Sequence, residues 1–348
     1  MKIAQDKCAV DIGFWGGLTQ ENAKNDAQLS ELLDYGAAGL KVFLVDSGLQ
    51  HLTSPPKTHA HTKKTKNSAD LLTFFISLLL LFQLFAGMED FSPVNVSDLN
   101  IAMRVLKNKK KTLMAHAEVS IGLEIDDESR KQENAIMYHS WLKSRPPTME
   151  REAVRSLITQ CKKQGDKCPK VHVAHLSDAV TAGMVRGAKL GGMPFTGETC
   201  PHYLVFSAEE IQNRATEFKC APPIRDSANR ESLWNLLESR EGLEMISSDH
   251  SPAPLAIKKA LKGNFLESWG GINGLQVESA LALHYLVRGL IDSHVRWVFV
   301  SFVPQYTLPA MWKEASRRGF SLVDMAEILS SRPGKPASQQ AIGRVLKK

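Results

Sequence analysis

Four polar side chains end short apolar runs in this 348-residue chain: Lys41 in GLKVFLV, His116 in TLMAHAE, His175 in KVHVAHLS and Asp249 in LEMISSDH. An amine, two imidazoles and a carboxyl are groups that hold a metal ion or move protons. Each is also costly where it stands. An unpaired charge at the end of a buried strand loses its hydration, and a core strand there would prefer Val or Leu. A common site at one rim of a sheet accounts for all four at once. KVHVAHLS offers two histidines, His172 and His175, three apart. Odd spacing in a strand puts them on opposite faces, so one of the two can enter a shared site, and His175, nearer the strand end, is the better choice.

The elements that would carry these residues alternate. Strand-like runs are expected at 8–14, 39–45, 112–118, 170–177, 194–200 and 243–250. Helical stretches lie between them at 27–36, 96–111 (with Ser97 as N-cap), 127–164, 178–190 and 226–239, with more at 274–288 and 308–330. Strand–helix repetition of this kind indicates an α/β fold, a parallel sheet with helical crossovers. In such folds the C-terminal ends of the strands carry the chemistry.

Composition excludes several classes. The net charge of +6 does not mark a nucleic-acid face, because the excess is confined to two segments. Residues 51–86 carry Lys57, Lys63, Lys64 and Lys66 against Asp70, and residues 335–348 carry Lys335, Arg344, Lys347 and Lys348 with no acid. The rest of the chain is close to neutral, as solvated loops and tails require. The five cysteines are scattered without a CxxC pair, so neither a disulfide framework nor a structural zinc knot is expected, and a reducing compartment fits best. The apolar part of 51–86, starting at Leu71, is short of the roughly 20 residues a spanning helix needs, and Thr73, Ser77 and Gln83 interrupt it. A membrane span is therefore not expected. No signal peptide is read at MKIAQDKCAV, and no Ser-Lys-Leu ending follows VLKK.

Taken together, VDIGFWGG, GLKVFLVDSG, MAHAE, VHVAHLSDA, GETCPHYL, FKCAPPIRD, ISSDHSP and WGGINGLQ resemble the cyclic amidohydrolases. That family joins allantoinases with dihydropyrimidinases, hydantoinases and dihydroorotases, and GFWGG and WGGINGLQ point to its allantoinase branch. The resemblance implies a (β/α)8 TIM barrel with two zinc ions per subunit, bridged by a lysine carboxylated by CO2, which Lys41 matches. His116 and His175 match the histidines of the second metal. Asp249 matches a ligand of the first metal that also serves as catalytic acid/base. The implied reaction is hydrolysis of the cyclic amide of allantoin to allantoate, a step of purine catabolism, with Asn273 and Ser47 contacting the small ureide substrate. A homotetramer in the cytoplasm is the corresponding expectation, with peroxisome and mitochondrion left open. The alternatives are a dihydropyrimidinase-like hydrolase and a non-catalytic scaffold of the dihydropyrimidinase-related kind.

The sequence also departs from the family's pattern. If Lys41 lies on the fourth barrel strand, the chain opens on the third. The first two strands, their HxH metal pair and most of the small β-sandwich are then missing, and impaired activity and poor expression are expected. The one HxH present, His59-Ala60-His61, lies in a basic stretch with no apolar strand before it and is rejected as a ligand pair. The expected organisation is a barrel over 1–334, interrupted by insertions at 51–86 and near 292–306, followed by a basic tail at 335–348.

Overall fold

A computed structural model describes residues 13–45, 92–122, 127–239, 242–251, 255–259, 261–272 and 307–332. Ser47, Asn273, the His59–His61 pair, both expected insertions and the basic tail lie outside the described residues. Six strands, β1 (Gly16–Leu18), β2 (Gly39–Phe43), β3 (Thr112–His116), β4 (Lys170–Val173), β5 (Phe195–Thr199) and β6 (Met245–Ile246), form one parallel sheet in chain order. Each crossover between β2 and β6 carries at least one helix, among them Asn100–Asn108, Pro147–Gln164, Ala179–Leu190 and Ser227–Ser239. This is the winding of a β/α barrel, and it is not closed: among the described residues no strand joins β6 to β1.

The sheet register divides the strand side chains into two sets. Leu40, Val42, Leu113, Ala115, Val171, Val173 and Phe195 are buried apolar residues of the core. The alternate positions form aligned rows, Lys41 beside Met114 beside His172 beside Thr196, with Phe43 beside His116 one step further along. A period of two places these rows on the face opposite the apolar set. Gly39 permits the close pairing of β2 with β3, because a Cβ there would stand 2.3 Å from the Thr112 carbonyl oxygen and 2.5 Å from the Trp15 ring.

Several boundaries differ from the sequence expectation. The first strand is Gly16–Leu18 and not 8–14, whose first five residues lie outside the described ones. The helix read over 96–111 divides into a 3-10 turn, Val96–Leu99, and the helix Asn100–Asn108. Ser97 is therefore inside the turn and not a cap; its carbonyl accepts from the Asn100 side chain at 2.8 Å. The strand read over 243–250 shrinks to Met245–Ile246, and Asp249 lies beyond it with a left-handed backbone (φ 44°). Cys161 and Cys168 form a disulfide, a single bridge where no disulfide framework is expected. The helix Pro147–Gln164 ends at Gly165 and the chain doubles back toward β4, which brings the two Cα atoms to 5.2 Å. Among the described residues no helix is long and apolar enough to cross a membrane.

The helix Ala179–Leu190 starts on Asp178, which accepts from the Thr181 amide at 2.9 Å and the Thr181 hydroxyl at 2.6 Å. The same carboxylate takes two hydrogen bonds from Arg151, both at 2.9 Å. Burial alone would raise the Asp178 pKa, but Arg151 and Thr181 hold it below its ordinary value. Asp178→Ala is expected to lower stability at pH 7 by about 2 kcal/mol in urea unfolding. A depressed pKa stabilises only above the unfolded value, so the gap between wild type and variant should close as pH falls below about 4.

Candidate metal centre

The face that carries Lys41 also carries a chain of contacts around His116. Glu118 follows His116 by two residues and accepts from His116 Nε2 at 2.8 Å. With that nitrogen protonated, Nδ1 keeps its lone pair and faces His175 Nε2 at 3.1 Å. Phe43 stacks on the other side of the His116 ring at 5.0 Å, and Lys41 Nζ lies 5.2 Å from the Phe43 ring centre. Glu118 is itself fully buried (0% exposed), accepts from Arg145 Nε at 3.2 Å and forms an ion pair with Arg145 Nη2 at 3.0 Å. Burial would raise the Glu118 pKa, but Arg145 and then His116 hold it well below the usual carboxylate range. The carboxylate therefore stays ionised and fixes both the tautomer and the orientation of His116, a common support for a metal-binding imidazole.

His175 reaches this face by a backbone device. β4 ends at Val173, and His175 adopts φ 39°. His172 pairs with Thr196 at 2.8 Å and with Glu198 at 3.1 Å, and Glu198 feels the charge of both His172 and His175. Both ring nitrogens of His172 are thus engaged by β5, by Thr196 and Glu198, while His175 is the one that contacts His116, from a left-handed residue beyond the strand where the alternation of β4 no longer applies. Burial pushes the His175 imidazolium down to about 4, although Asp249 works in the other direction. The ring is neutral near pH 7, as a metal ligand must be. Its Nδ1 is buried with no hydrogen-bond partner.

Asp249 completes the group. Burial alone would raise its pKa, but His175, His202, Lys41 and His116 together lower it. It therefore sits close enough to feel both predicted histidines and the predicted lysine. Among the described residues, the three metal-capable donor atoms that lie within 4.8 Å of one another belong to Cys200, His202 and Asp249. His116 and His175 meet each other outside that set. Two nitrogens on one tetrahedral zinc, each about 2.0–2.1 Å from the ion, stand roughly 3.3 Å apart. The His116–His175 separation fits that spacing, and the carboxylate behind His116 fits the same role.

Sequence reasoning missed Glu118, Arg145, Cys200 and His202. Glu118 had a local signal, because i and i+2 share a strand face and MAHAE places it there. Arg145 had none; 27 residues separate it from its partner. The GG-Ile block that precedes Asn273 is also placed. Gly271 donates its amide to the Lys219 carbonyl at 2.8 Å, its carbonyl accepts from Lys258 Nζ, and Ile272 bridges to His250. Position 272 is thus held beside the strand end that bears Asp249.

No protein-family model matches the chain. It is 34% identical over 350 residues to an allantoinase of Arabidopsis thaliana, covering 99% of this chain and 55% of that one. It is 32% identical to a mitochondrial allantoinase of Aquarana catesbeiana (96% and 53% covered) and 33% identical to an allantoinase of Saccharomyces cerevisiae (78% and 49%). The chain thus spans about half the length of the curated relatives it matches. Among solved structures it overlays the L-hydantoinase of Arthrobacter aurescens with TM-score 0.62 at 19% identity (94% and 56% covered), and a dihydropyrimidinase of Brevibacillus agri with TM-score 0.64 at 20% identity (98% and 60%). At that identity the overlays bear on the fold.

Removing one partner of a buried ion pair strands the other charge. Arg145→Met is expected to destabilise by about 3–5 kcal/mol, and Glu118→Leu combined with Arg145→Met to recover most of that loss, in denaturant titrations at pH 7. Equal losses in the single and double variants would show that the pair does not carry the charge of Glu118.

Proposed function

By sequence this chain belongs to the allantoinase family of cyclic amidohydrolases, and from that premise we propose that it takes part in metal-dependent hydrolysis of allantoin to allantoate. The observation that carries the reading is the meeting of His116 and His175 at 3.1 Å beside Asp249, in a chain of this descent. His116 and His175 would hold one zinc ion, with Asp249 and a carboxylated Lys41 as the anionic ligands toward a second. When bound, the metal supplies an acidified water and a polarised ring carbonyl.

The protein groups do the rest. His116 is oriented by Glu118, and His175, held neutral by burial, presents a lone pair without needing to lose a proton near pH 7. Asp249 is ionised and able to accept a proton from the attacking water, then give it to the departing ring nitrogen. Lys41 as a free amine would add positive charge beside His175; as a carbamate it would be an anion, and its cost in an apolar strand would be met by the cations. Asn273 and Ser47 remain the proposed contacts to the ureide.

The test is metal analysis paired with hydrolysis assays on allantoin and dihydrouracil. Zinc-loaded chain should turn over allantoin in preference, and Asp249→Asn should lower kcat by about 10²- to 10⁴-fold while leaving the His116–His175 metal in place. Preference for dihydrouracil would move the chain to the dihydropyrimidinases. Full zinc loading with neither substrate consumed would leave the scaffold reading.

His116→Asn should deplete bound zinc without unfolding the chain, whereas Glu118→Gln should weaken zinc affinity by about 10- to 100-fold, read by equilibrium dialysis. Unchanged affinity in both would remove His116 from the centre.

A further inference from the structure

We propose that Cys200, His202 and Asp249 form a cation site of their own, a thiolate–imidazole–carboxylate trio for a borderline-soft divalent ion such as zinc, whose histidine is not one of the His116–His175 pair. The donor atoms of the three residues lie within 4.8 Å of one another. Two observations set the trio apart from an incidental cluster. The first is His202, which is 2% exposed and whose Nε2 has no hydrogen-bond partner. An unsatisfied buried nitrogen costs about 1–3 kcal/mol, and a cation beside it would recover that cost. The second is the donor set itself. Sulfur, nitrogen and oxygen in one group match the preferences of zinc, for which three protein ligands and one open position are the usual arrangement where a small molecule must also bind.

The ordinary alternative is that Cys200 fills core space. It is fully buried, and its Sγ is 4.0 Å from the Ser247 hydroxyl. A thiol in that role has no need of His202 or Asp249 within ligand reach, and Cys220 shows the role without them: it is equally buried and is not part of the trio. Ligand atoms around a tetrahedral zinc are spaced about 3.3–3.8 Å, so the trio needs to contract by roughly 1 Å, within the range of side-chain rotation. Binding would displace the Cys200 thiol proton to solvent, leaving a thiolate on the ion. The trio shares Asp249 with the centre proposed above but does not depend on allantoin being the substrate.

The test uses the full chain, stripped of metal and titrated with Co²⁺. A thiolate ligand gives Co²⁺ a ligand-to-metal charge-transfer band in the near ultraviolet that nitrogen and oxygen ligands do not. That band should appear in the wild type, persist in Cys220→Ser and in His116→Asn, and vanish in Cys200→Ser. His202→Gln should keep the thiolate but weaken Co²⁺ affinity about a hundredfold or more, exceeding what loss of an outer support costs. Far-ultraviolet circular dichroism checks each fold, and if Cys200→Ser does not fold, the His202→Gln affinity decides. Co²⁺ bound with visible bands but no charge-transfer band would overturn the proposal. So would a band that survives Cys200→Ser, an affinity unmoved by His202→Gln, or no Co²⁺ bound at all. A chain that shows the band yet does not hydrolyse allantoin would sink the hydrolase reading and leave this site standing.

Discussion

A carboxylate sealed from water must have a cation against it, and in this chain that requirement organises the site. Glu118 is the carboxylate and Arg145 the cation. From there the pairing extends inward. Arg225 donates to the Arg145 carbonyl at 2.7 Å and to Glu150 at 2.8 Å, and Glu150 accepts from the Ser177 amide at 3.0 Å and hydroxyl at 2.6 Å. The network starts two residues beyond His116 and ends two residues beyond His175. One buried polar network thus runs from the carboxylate that orients His116 to the turn that follows His175. The helix Pro147–Gln164 is fastened into the same network, because Glu150 sits in its first turn. Burial pushes the Glu150 pKa up, partly offset by Arg225, while Glu118 is pushed down. The two acids differ because Glu118 has His116 as well as Arg145 against it.

What the sequence made legible follows from range. Five of the six strands, β2 to β6, could be read because each lies in a short apolar run, and in four of them a polar residue stood out against that run. The family blocks then ordered them. Lys41 and His116 share one face, as the alternation of β2 and β3 requires, His175 contacts His116, and Asp249 feels the charge of all three. What could not be read needed either long sequence separation or local backbone geometry. Arg225 is 75 residues from Glu150, and no pattern in PPTME or PPIRD announces the pair. The approach of His175 to His116 is made from a left-handed residue beyond β4, and period-two reasoning has no term for that. The Cys161–Cys168 disulfide belongs to the same class, since its seven-residue separation becomes a contact only when a helix ends and reverses between the two cysteines.

The two left-handed residues deserve a common explanation. His175 (φ 39°) and Asp249 (φ 44°) each follow the end of a strand, β4 and β6, on the side where the site lies. Neither is glycine, so each carries a strain of about 1–3 kcal/mol that the surroundings must overcome. The hydrogen bonds to do so are present. The Leu176 amide donates to the Glu198 carbonyl at 2.8 Å and the Ala174 amide to the Ala115 carbonyl at 3.0 Å, gripping His175 from both neighbouring strands. Ser247 donates to the Thr199 carbonyl at 3.0 Å and Ser251 to Ile272 at 2.9 Å, gripping Asp249 in the same way. A residue so held cannot relax into a regular strand, and its side chain is turned toward the site whether or not a ligand is present.

Asp249 is shared by two sets of donors. His116 and His175 form one and Cys200 and His202 the other, and histidines of both favour the anion of the carboxyl. A carboxylate can bind a cation with one oxygen and keep the other for a proton, but each cation it binds lowers the basicity of the remaining oxygen. Its fitness as a proton carrier is therefore greatest when only one set is filled. An ion held by the Cys200–His202 trio would draw on the oxygen that the hydrolytic step needs, while leaving His116 and His175 untouched. The network behind Glu118 cannot correct this, because it fixes His116 and Ser177 and makes no contact with Asp249. Which ion reaches the carboxylate first is thus set at Asp249 itself, and the stiffness that aligns the two histidines gives it no help in choosing.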